Sequence, residues 1–480
     1  MERTRATPAE EPLAGTVDLA YWLGRAVAEH QAWTKRFGPH PRHPSQSVDP
    51  ERLTVAFDEL SQRIGGSYPF FHPSYAGQML KPPHPVAVLG YVATMLVNPN
   101  NHALDGGPAT SAVEEEVVAQ LAAMFGMETH LGHLTGGGTV ANLEALFVAR
   151  QCHPGLGVAY SAASHYTHAR MCHLLGVPGY SVAVDARGRM DVDALERLLA
   201  TGEVGTVVAT AGTTGLGAVD PVHEILALAR ARGVRVHVDA AYGGFFTLLA
   251  DEGPGGEGPL VDPAPWRAVA RCDSVVIDPH KHGLQPYGCG AVLFADPEVR
   301  RHYQHDSPYT YYSSDRPHLG EISLECSRSG ASAAALWLTL RLLPLTREGL
   351  GAVLAGGRRA ALRWARLLAA APGLELFQPP ELDIVSYFPR TARRSLSEID
   401  AAGTALMRRG ERADDPVFLS VGRVSAAEFT ARHPDVVVDR GDAAILRSVL
   451  MKPEFESRVD ALHARVAALA AEGSGGVGRA

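Results

Sequence analysis

One lysine stands where an α/β enzyme would place a reactive amine. Lys281 lies in DSVVIDPHKHGLQPYGCGAVLF, in a Gly/Pro-rich turn between two short apolar runs typical of strands. Ligands of open α/β sheets bind at the carboxyl ends of strands. The chain has 44 lysine and arginine residues, yet lysine occurs only at positions 35, 81, 281 and 452. Because lysine forms imines and arginine does not, Lys281 is a candidate for covalent chemistry, with a surface lysine as the ordinary alternative.

A buried carboxylate is expected at Asp239. It ends the apolar run of VRVHVDAAYGG and is followed by the small residues Ala240 and Ala241. A carboxylate in such a place is costly to bury unless it meets a positive partner. A protonated pyridine nitrogen is one such partner, and the ion pair would keep the ring able to accept electrons. An arginine partner or a helix cap is the common alternative.

Three glycines precede a predicted helix in HLTGGGTVANLEAL. Backbone N–H groups at a helix N-terminus bind anions, and glycine lets a phosphate approach closely. The spacing is neither GxxxxGK[ST] nor GxGxxG, the two common nucleotide-binding loops. The segment therefore indicates a phosphate site of another kind, or else a plain turn.

Two further segments place polar side chains after predicted strands. SAASHYTHARM carries His165 and His168, and an imidazole there could stack on a ring. ATAGTTGLGAVDP carries Thr213 and Thr214 in a glycine-rich turn. The 21 histidines form no HExxH motif and no Cys/His set with zinc spacing, so we expect no metal site.

The segments that must position these residues alternate between helix and strand. From about Ser111, amphipathic patterns such as SAVEEEVVAQLAAMFG and PVHEILALARARG separate short apolar runs such as VGTVVATAG and DSVVID. This alternation predicts an α/β domain with a mainly parallel sheet. After about Pro344 a long helix, roughly residues 347–371, precedes LDIVSYFP, VFLSVGRV and AAILRSVLM. These segments predict a small α+β domain.

Three parts are therefore expected along the chain. Residues 1–107 include the Pro- and His-rich run SYPFFHPSYAGQMLKPPHP and do not form a core of their own. We predict that they form an N-terminal arm that packs on a partner subunit. Residues 108–345 form the large domain that carries the segments above, and residues 346–480 form the small C-terminal domain.

Charge and composition disfavour several classes of partner. The formal net charge of −8 makes nucleic acid and anionic membranes poor partners. No apolar run approaches the roughly 20 residues that span a bilayer, and the N-terminus lacks the apolar stretch of a signal peptide. Five cysteines without CxxC spacing argue against a disulfide framework. We therefore expect a cytoplasmic protein.

Five motifs in this order resemble one enzyme family: HLTGGGTVANLEAL, SHYTHARM, ATAGTTGLGAVDP, HVDAAYGG and DPHKHGLQPYGCG. They are similar to those of the group II amino-acid decarboxylases that depend on pyridoxal 5'-phosphate (PLP), which include aromatic-amino-acid, tyrosine, histidine and glutamate decarboxylases. The resemblance runs from about His72 to the C-terminus. It implies a fold-type I enzyme with a mainly parallel, seven-stranded-type sheet in its large domain. It also implies a homodimer with shared active sites.

The resemblance implies roles for single residues at the cofactor. Lys281 would form the Schiff base with PLP, and Asp239 would pair with the pyridine nitrogen. Ala241 and His165 would lie against the two faces of the ring. The other implied contacts are Gly138, Thr139 and His280 at the phosphate, and Thr214 near the ring hydroxyl or the Schiff base.

The resemblance also implies residues that handle the substrate. Arg447, in ILRSVLMKP, matches an arginine that holds the substrate carboxylate in some members, and a structural role is the alternative. The family has a mobile loop whose tyrosine returns a proton to the substrate α-carbon. Tyr309, in DSPYTYY, stands at about the family's distance from the lysine, and Tyr311 is the next candidate.

Two residues beside the lysine depart from the family pattern. Asp278 stands where asparagine or serine is common, and a bare carboxylate there would repel a phosphate. We therefore expect it to turn toward a backbone N–H or toward His280. His282 follows Lys281 where an aromatic or aliphatic residue is frequent, which affects the details of the pocket more than the reaction.

These features predict the decarboxylation of an L-amino acid to the amine and carbon dioxide. Tyr75, Gln78 and Met79 in FFHPSYAGQML offer no cation for a side-chain carboxylate, which favours an aromatic or neutral substrate, although Lys81 and several arginines leave an acidic one open. One alternative is oxidative decarboxylation–deamination to an aldehyde on the same scaffold. Others are a transaminase or carbon–carbon lyase, and a non-catalytic PLP-binding regulatory protein.

Overall fold

The structure, a computed structural model, describes residues 16–304 and 318–474. The described α-helices are α1 Leu19–Lys35, α2 Pro50–Gly65, α3 Pro85–Met95, α4 Pro108–Met124, α5 Gly138–Cys152, α6 Thr167–Leu175, α7 Val192–Leu199, α8 Val222–Arg230, α9 Pro263–Val269, α10 Gly330–Leu342, α11 Leu350–Ala370, α12 Leu396–Arg412, α13 Ala426–Arg432 and α14 Phe455–Ser474. The strands are β1 Leu131–Thr135, β2 Gly157–Ser161, β3 Gly179–Val182, β4 Val204–Thr210, β5 Arg235–Asp239, β6 Ser274–Ile277, β7 Gly290–Phe294, β8 Leu374–Gln378, β9 Ile384–Pro389, β10 Ser420–Ser425 and β11 Asp442–Val449. None of these helices is both long enough and apolar enough to cross a membrane.

Seven strands form the larger sheet, in the order β1-β7-β6-β5-β4-β2-β3. The pairs among β2 to β6 are parallel, whereas β7 runs antiparallel to both of its neighbours. The interior strand β4 is buried along its whole length, as its continuous run of apolar and β-branched residues predicts for a parallel sheet covered on both faces. The predicted α/β fold with a mainly parallel sheet is confirmed.

Strand β7 runs antiparallel because of the way in which β6 and β7 are joined. Each step from β1 to β6 passes through at least one helix, whereas β6 leads to β7 through the turn that carries Lys281. A parallel neighbour would need a crossover of a dozen or more residues, usually with a helix. The twelve residues between Ile277 and Gly290 contain no helix, so the chain does not cross over and β7 runs back beside β6.

A second sheet of four antiparallel strands follows, in the order β10-β11-β9-β8. Its core includes the fully buried Trp364 of α11 and Tyr387 of β9, whose ring centroids are 5.4 Å apart. The predicted long helix and the predicted small α+β segment are confirmed. The domain boundaries after residues 107 and 345 stay a prediction.

The N-terminal region divides into two parts. Helices α1 and α2 contain no buried residue. From Tyr75 onward the chain packs on itself, because Tyr75 forms a parallel bridge with Phe418 and the N–H of Ala76 donates to Phe418 O at 2.9 Å. Helix α3 contacts α10 so closely that a Cβ on Gly90 would lie 2.9 Å from Ala335 Cα. Tyr68 also contacts the C-terminal region, since its hydroxyl donates to Glu411 Oε1 at 2.9 Å. The exposed helices α1 and α2 have the character of an arm, and the packing of residues 1–107 on a partner subunit stays a prediction.

The larger sheet brings the chemically active segments to one edge. Thr210 pairs with Asp239 across β4 and β5, and Asp239 pairs with Val276 across β5 and β6. The carboxyl ends of these three strands therefore lie side by side. β1 ends opposite the start of β7, since Thr135 pairs with Gly290, and α5 begins directly after that point.

Candidate active site

A cavity of about 270 Å³ opens at this edge of the sheet. The eight residues that the sequence predicts to hold a cofactor all line it: Gly138, Thr139, His165, Thr214, Asp239, Ala241, His280 and Lys281. The remaining lining residues are Gly136, Gly137, Val140, Asn142, Thr167, Thr210, Gly212, Tyr242 and Asp278. Five separate segments of the chain thus converge on one space.

Lys281 is the lysine that borders this cavity. The turn after β6 is closed by a hydrogen bond from the Lys281 N–H to Asp278 O (2.9 Å), and Nζ lies 3.0 Å from Asp278 Oδ2. The side chain is 23% exposed, so the amine is accessible. Lys81 and Lys452 instead donate to backbone carbonyls elsewhere in the chain, and Lys35 ends α1.

Asp239, the last residue of β5, is buried and ionised. Its Oδ2 accepts a hydrogen bond from His168 Nε2 at 2.8 Å, and its Oδ1 accepts one from the N–H of Ala241 at 3.1 Å. Burial by itself would raise the pKa of Asp239, but His168, Lys281 and the Ala241 N–H together hold that pKa well below its usual value. A carboxylate that remains charged in such a place is suited to bind a cationic group.

The N-terminus of α5 borders the cavity as a site for an anion. Gly137 precedes the helix with φ near +145°, a backbone conformation that favours glycine. A Cβ on Gly138 would lie 2.8 Å from Asp278 Oδ2 and 3.1 Å from Ala241 Cβ, so this position has no room for a side chain. No described side chain caps this helix, which leaves its first N–H groups for an anionic ligand.

His165 reaches the cavity from the loop between β2 and α6. Its Nδ1 lies 2.9 Å from Thr167 Oγ1. Burial lowers the pKa of His165 below its ordinary value, although Asp239 partly opposes that shift. The imidazole is therefore neutral at neutral pH, and a neutral aromatic ring can stack on the ring of a cofactor.

Asp278 faces His280, one of the two partners predicted for it, and lies nearer still to Lys281. Its Oδ2 lies 3.0 Å from Lys281 Nζ and 3.5 Å from His280 Nε2, so the lysine is its nearer partner. The turn after β6 brings Lys281, three positions later in the chain, beside the Asp278 carboxylate. The buried Oδ1 has no hydrogen-bond partner among the described residues.

A buried cluster next to the lysine was not anticipated from the sequence. His282 donates through Nε2 to Asp383 Oδ2 (2.9 Å) and through Nδ1 to Tyr242 O (3.0 Å), and the Tyr242 hydroxyl donates to Asp383 Oδ1 (2.5 Å). Burial would raise the pKa of Asp383, but His282 and Tyr242 lower it overall. The sequence offers one signal for this cluster: Asp383 stands at the start of the apolar segment LDIVSYFP, just as Asp239 stands at the end of the apolar strand β5.

The predicted substrate residues lie beside the cavity rather than in it. Tyr75 and Gln78 line a neighbouring cavity of about 320 Å³. Arg447 connects the two regions, since its Nη1 donates to Gln78 Oε1 (3.1 Å) and its Nε donates to Gly215 O (2.9 Å), next to Thr214. Arg447 thus lies between the arm segment and the loop that borders the first cavity.

Tyr309 and Tyr311 fall in residues 305–317, outside the described residues. Their proposed role as proton donors therefore stays a prediction. The chain that follows returns to the cavity, because Glu325 Oε2 accepts a hydrogen bond from the N–H of Gly136 at 2.8 Å.

Comparison with known proteins identifies the family. A family model described as the pyridoxal-dependent decarboxylase conserved domain matches residues 70–388, well over half of the chain. The chain belongs to the pyridoxal-dependent decarboxylase family. The match contains every residue that lines the first cavity.

Relatives with similar sequences agree with the family. The L-tyrosine decarboxylase of Enterococcus faecium is 29% identical over 451 residues, which cover 72% of this chain and 74% of that protein. The probable L-aspartate decarboxylase of Pyrococcus furiosus is 29% identical over 352 residues, which cover 72% of this chain and 90% of that protein. PLP-dependent decarboxylation of an amino acid is confirmed, and these relatives favour neither aldehyde formation nor a regulatory role.

Solved structures of similar shape agree with the fold. The crystal structure of mouse CSAD matches with a TM-score of 0.74 at 22% identity and covers 94% of this chain and 98% of that one. The structure of Oryza sativa TDC with PLP and tryptamine matches with a TM-score of 0.74 at 18% identity and covers 96% and 99%. The predicted fold-type I architecture is confirmed.

The residues around the cavity fit PLP, the cofactor of this decarboxylase family. An ionised, buried Asp239 suits a cationic ring nitrogen, and a glycine-lined helix N-terminus suits a phosphate. Thr210 Oγ1 is buried at the cavity without a hydrogen-bond partner among the described residues, as is Asp278 Oδ1. Lys281 adds the amine that a covalently held aldehyde requires.

A methyl group at Gly138 should weaken cofactor binding. In Gly138→Ala the new Cβ would crowd Asp278 and Ala241, and we expect PLP affinity to fall about tenfold or more. Titration of cofactor-free enzyme with PLP, followed by absorbance, measures this. Gly422→Ala is the matched control, because its Cβ would meet no atom within 4 Å. Equal affinity of the two variants would contradict the placement of the phosphate at α5.

Proposed function

We propose that this decarboxylase acts on a neutral or aromatic L-amino acid and releases the amine and carbon dioxide. The supporting observation is the described lining of the neighbouring cavity that holds Tyr75 and Gln78. It includes the aromatic rings of Tyr68 and Phe418, one carboxylate, Glu411, and no lysine or arginine. A substrate with a side-chain carboxylate would need a cation at that surface. The E. faecium relative acts on tyrosine, in line with this proposal.

The proposed roles follow from the groups at the cavity. PLP, when bound, supplies the electron sink for the bond to the leaving carboxylate. Lys281 would hold it covalently, Asp239 would pair with its ring nitrogen, and His165 and Ala241 would lie against its ring. The phosphate would be held by Gly138, Thr139 and His280, with Thr214 near the ring hydroxyl or the Schiff base.

The chain's own residues then control charge and protons. Asp239 remains ionised, and its negative charge would favour a proton on the ring nitrogen of PLP. The Lys281 amine, 3.0 Å from Asp278, can take up a proton when the substrate amine replaces it. We propose Tyr309, with Tyr311 as the next candidate, as the acid that returns a proton to the α-carbon.

A panel of L-amino acids assayed for carbon dioxide tests the proposed activity. We expect release from a neutral or aromatic substrate, and no detectable release by Lys281→Ala, which should also lack the near-visible absorbance of lysine-bound PLP. Lys35→Ala, at the end of α1 and far along the chain from the cavity, serves as the control. Preference for aspartate or glutamate would refute the substrate class, and an unchanged band in Lys281→Ala would refute the role of the lysine.

Arg447 is proposed to bind the α-carboxylate of the substrate. It is only 5% exposed, and its Nη2 is buried without a hydrogen-bond partner among the described residues. A buried guanidinium with a free donor is stabilised by an anion. Its bond to Gly215 O holds it beside the loop that carries Thr214.

Removal of the Arg447 guanidinium should weaken substrate binding more than it slows turnover. A hydrogen-bonded charge pair corresponds to about a 10- to 100-fold change in affinity, so we expect Arg447→Leu to raise KM by that factor. Steady-state kinetics on the best substrate of the panel measure KM and kcat separately. Arg423→Leu, on the adjacent strand β10 and about half exposed, should leave KM unchanged. An unaltered KM in Arg447→Leu would assign the residue a structural role.

We propose further that the chain works as a cytoplasmic homodimer with shared active sites. Helix α2 supports the dimer, because none of its residues is buried. Its four residues Leu53, Phe57, Leu60 and Ile64 are each more than half exposed. Their spacing of four, three and four places them on one face of the helix. An exposed apolar face of this kind marks a protein–protein contact, and a second copy of the chain would cover it. The odd number of cysteines, five, argues against a disulfide framework and so supports a reducing compartment such as the cytoplasm.

A charge on that face should disrupt the dimer. We expect wild-type protein to sediment as a dimer, Leu60→Asp to shift toward the monomer, and Gln62→Asp to remain dimeric, because position 62 lies on another side of α2. Analytical ultracentrifugation at several concentrations measures the equilibrium. A monomeric wild type, or equal behaviour of the two variants, would contradict this interface.

A further inference from the structure

His168 is a buried side chain whose hydrogen bond goes to the central carboxylate of the site. It lies in the first turn of α6, is 0% exposed, and donates through Nε2 to Asp239 Oδ2 at 2.8 Å. Its Nδ1 is buried and has no partner among the described residues. The ring lies 6.3 Å from the Tyr160 ring at an interplanar angle of 29°, so packing fixes its orientation.

Among the residues that the structure describes, no other side chain donates a hydrogen bond to the Asp239 carboxylate. His237 is buried two residues earlier on β5, and burial lowers its pKa to about 3, so this ring is neutral. Its two nitrogens are already used, since Nε2 bonds to Asn142 Oδ1 (2.9 Å) and Nδ1 to Ser274 Oγ (2.8 Å). Lys281 and His165 also face Asp239 electrostatically, but Lys281 has its nearest anion in Asp278.

The remaining contact to Asp239 comes from the backbone. The N–H of Ala241 donates to Oδ1 at 3.1 Å and is present whatever the side chains are. His168 is therefore the side chain whose hydrogen bond can be removed while the turn after β5 is kept. The bond to Oδ2 also restricts rotation of the carboxylate, because both oxygens then have a fixed donor.

We propose that His168 is a positioning residue that keeps Asp239 ionised and oriented toward the ring nitrogen of PLP. The proposal rests on the proposed role of Asp239. Without the donor at Oδ2, burial would favour the neutral carboxyl group. The ring nitrogen would then lose its ionic partner and bind its proton less tightly. Weaker ring protonation makes a poorer electron sink, which slows loss of the substrate carboxylate.

Two substitutions at this position separate the hydrogen bond from packing. His168→Gln keeps an N–H donor at the same number of bonds from the backbone, whereas His168→Leu fills similar space without a donor. His173→Gln, an exposed histidine on the same helix, is the matched control. Thermal melting of all three holoenzymes shows whether the fold is retained.

The direct readout is the protonation of the cofactor. Holoenzyme reconstituted with PLP labelled with ¹⁵N in the ring gives a nitrogen chemical shift that reports the ring proton. We expect wild type, His173→Gln and His168→Gln to show the protonated nitrogen near neutral pH, and His168→Leu to move toward the unprotonated value. We also expect kcat to fall about 10- to 100-fold in His168→Leu and to be largely restored in His168→Gln.

The outcomes distinguish this inference from the proposed function. If wild type shows no near-visible band that depends on Lys281, the proposed site itself fails. If that band is present but His168→Leu keeps the protonated nitrogen, or if His168→Gln and His168→Leu lose it equally, the positioning role is refuted while the site stands. A variant that melts at much lower temperature is replaced by His168→Asn, whose shorter amide donor should restore less than His168→Gln.

Discussion

The negative charge of Asp239 is the constraint on which the arrangement of the site depends. A carboxylate buried at the end of a sheet strand costs several kcal/mol unless donors surround it. Here the donors come from three places: the turn after β5 supplies the Ala241 N–H, α6 supplies His168, and the turn after β6 brings Lys281 into electrostatic range. The sheet order β6-β5-β4 makes this possible, because it sets the ends of these strands beside one another.

The α5 side of the cavity, where we propose that the phosphate binds, depends on close backbone contact instead of charge. A Cβ on Gly290, the first residue of β7, would lie 2.7 Å from Gly137 Cα, and one on Gly138 would lie 2.8 Å from Asp278. Because β7 pairs with β1, the loop before α5 is pressed against the turn that carries Lys281. Small residues on both sides therefore set the distance between the anion site and the lysine.

A second buried carboxylate connects the cavity to the smaller sheet. Asp383 precedes β9 and accepts hydrogen bonds from His282 and Tyr242. His282 follows Lys281 in the turn after β6, and Tyr242 lies in the turn after β5. Arg447 of β11 adds a bond to the loop at Gly215. Movement of the smaller sheet would thus disturb residues adjacent to Lys281 and Thr214. These hydrogen bonds link the smaller sheet to the residues around the cavity.

Local sequence patterns alone indicated the α/β class, the mainly parallel sheet and the candidate positions Lys281, Asp239 and the glycines before α5, because each lies at a strand or helix end that short-range periodicity reveals. The resemblance to a known family implied the individual cofactor contacts, which no local pattern assigns. Tertiary structure decided which distant side chains meet. His168 and Asp239 are 71 residues apart, and His282 and Asp383 are 101 apart. Likewise, the turn after β6 places Lys281 nearer to Asp278 than His280 is, and the packing of the chain places Gln78 beside Arg447. Periodicity defines an element and its ends, whereas contacts between elements depend on strand order and packing, which no local pattern encodes.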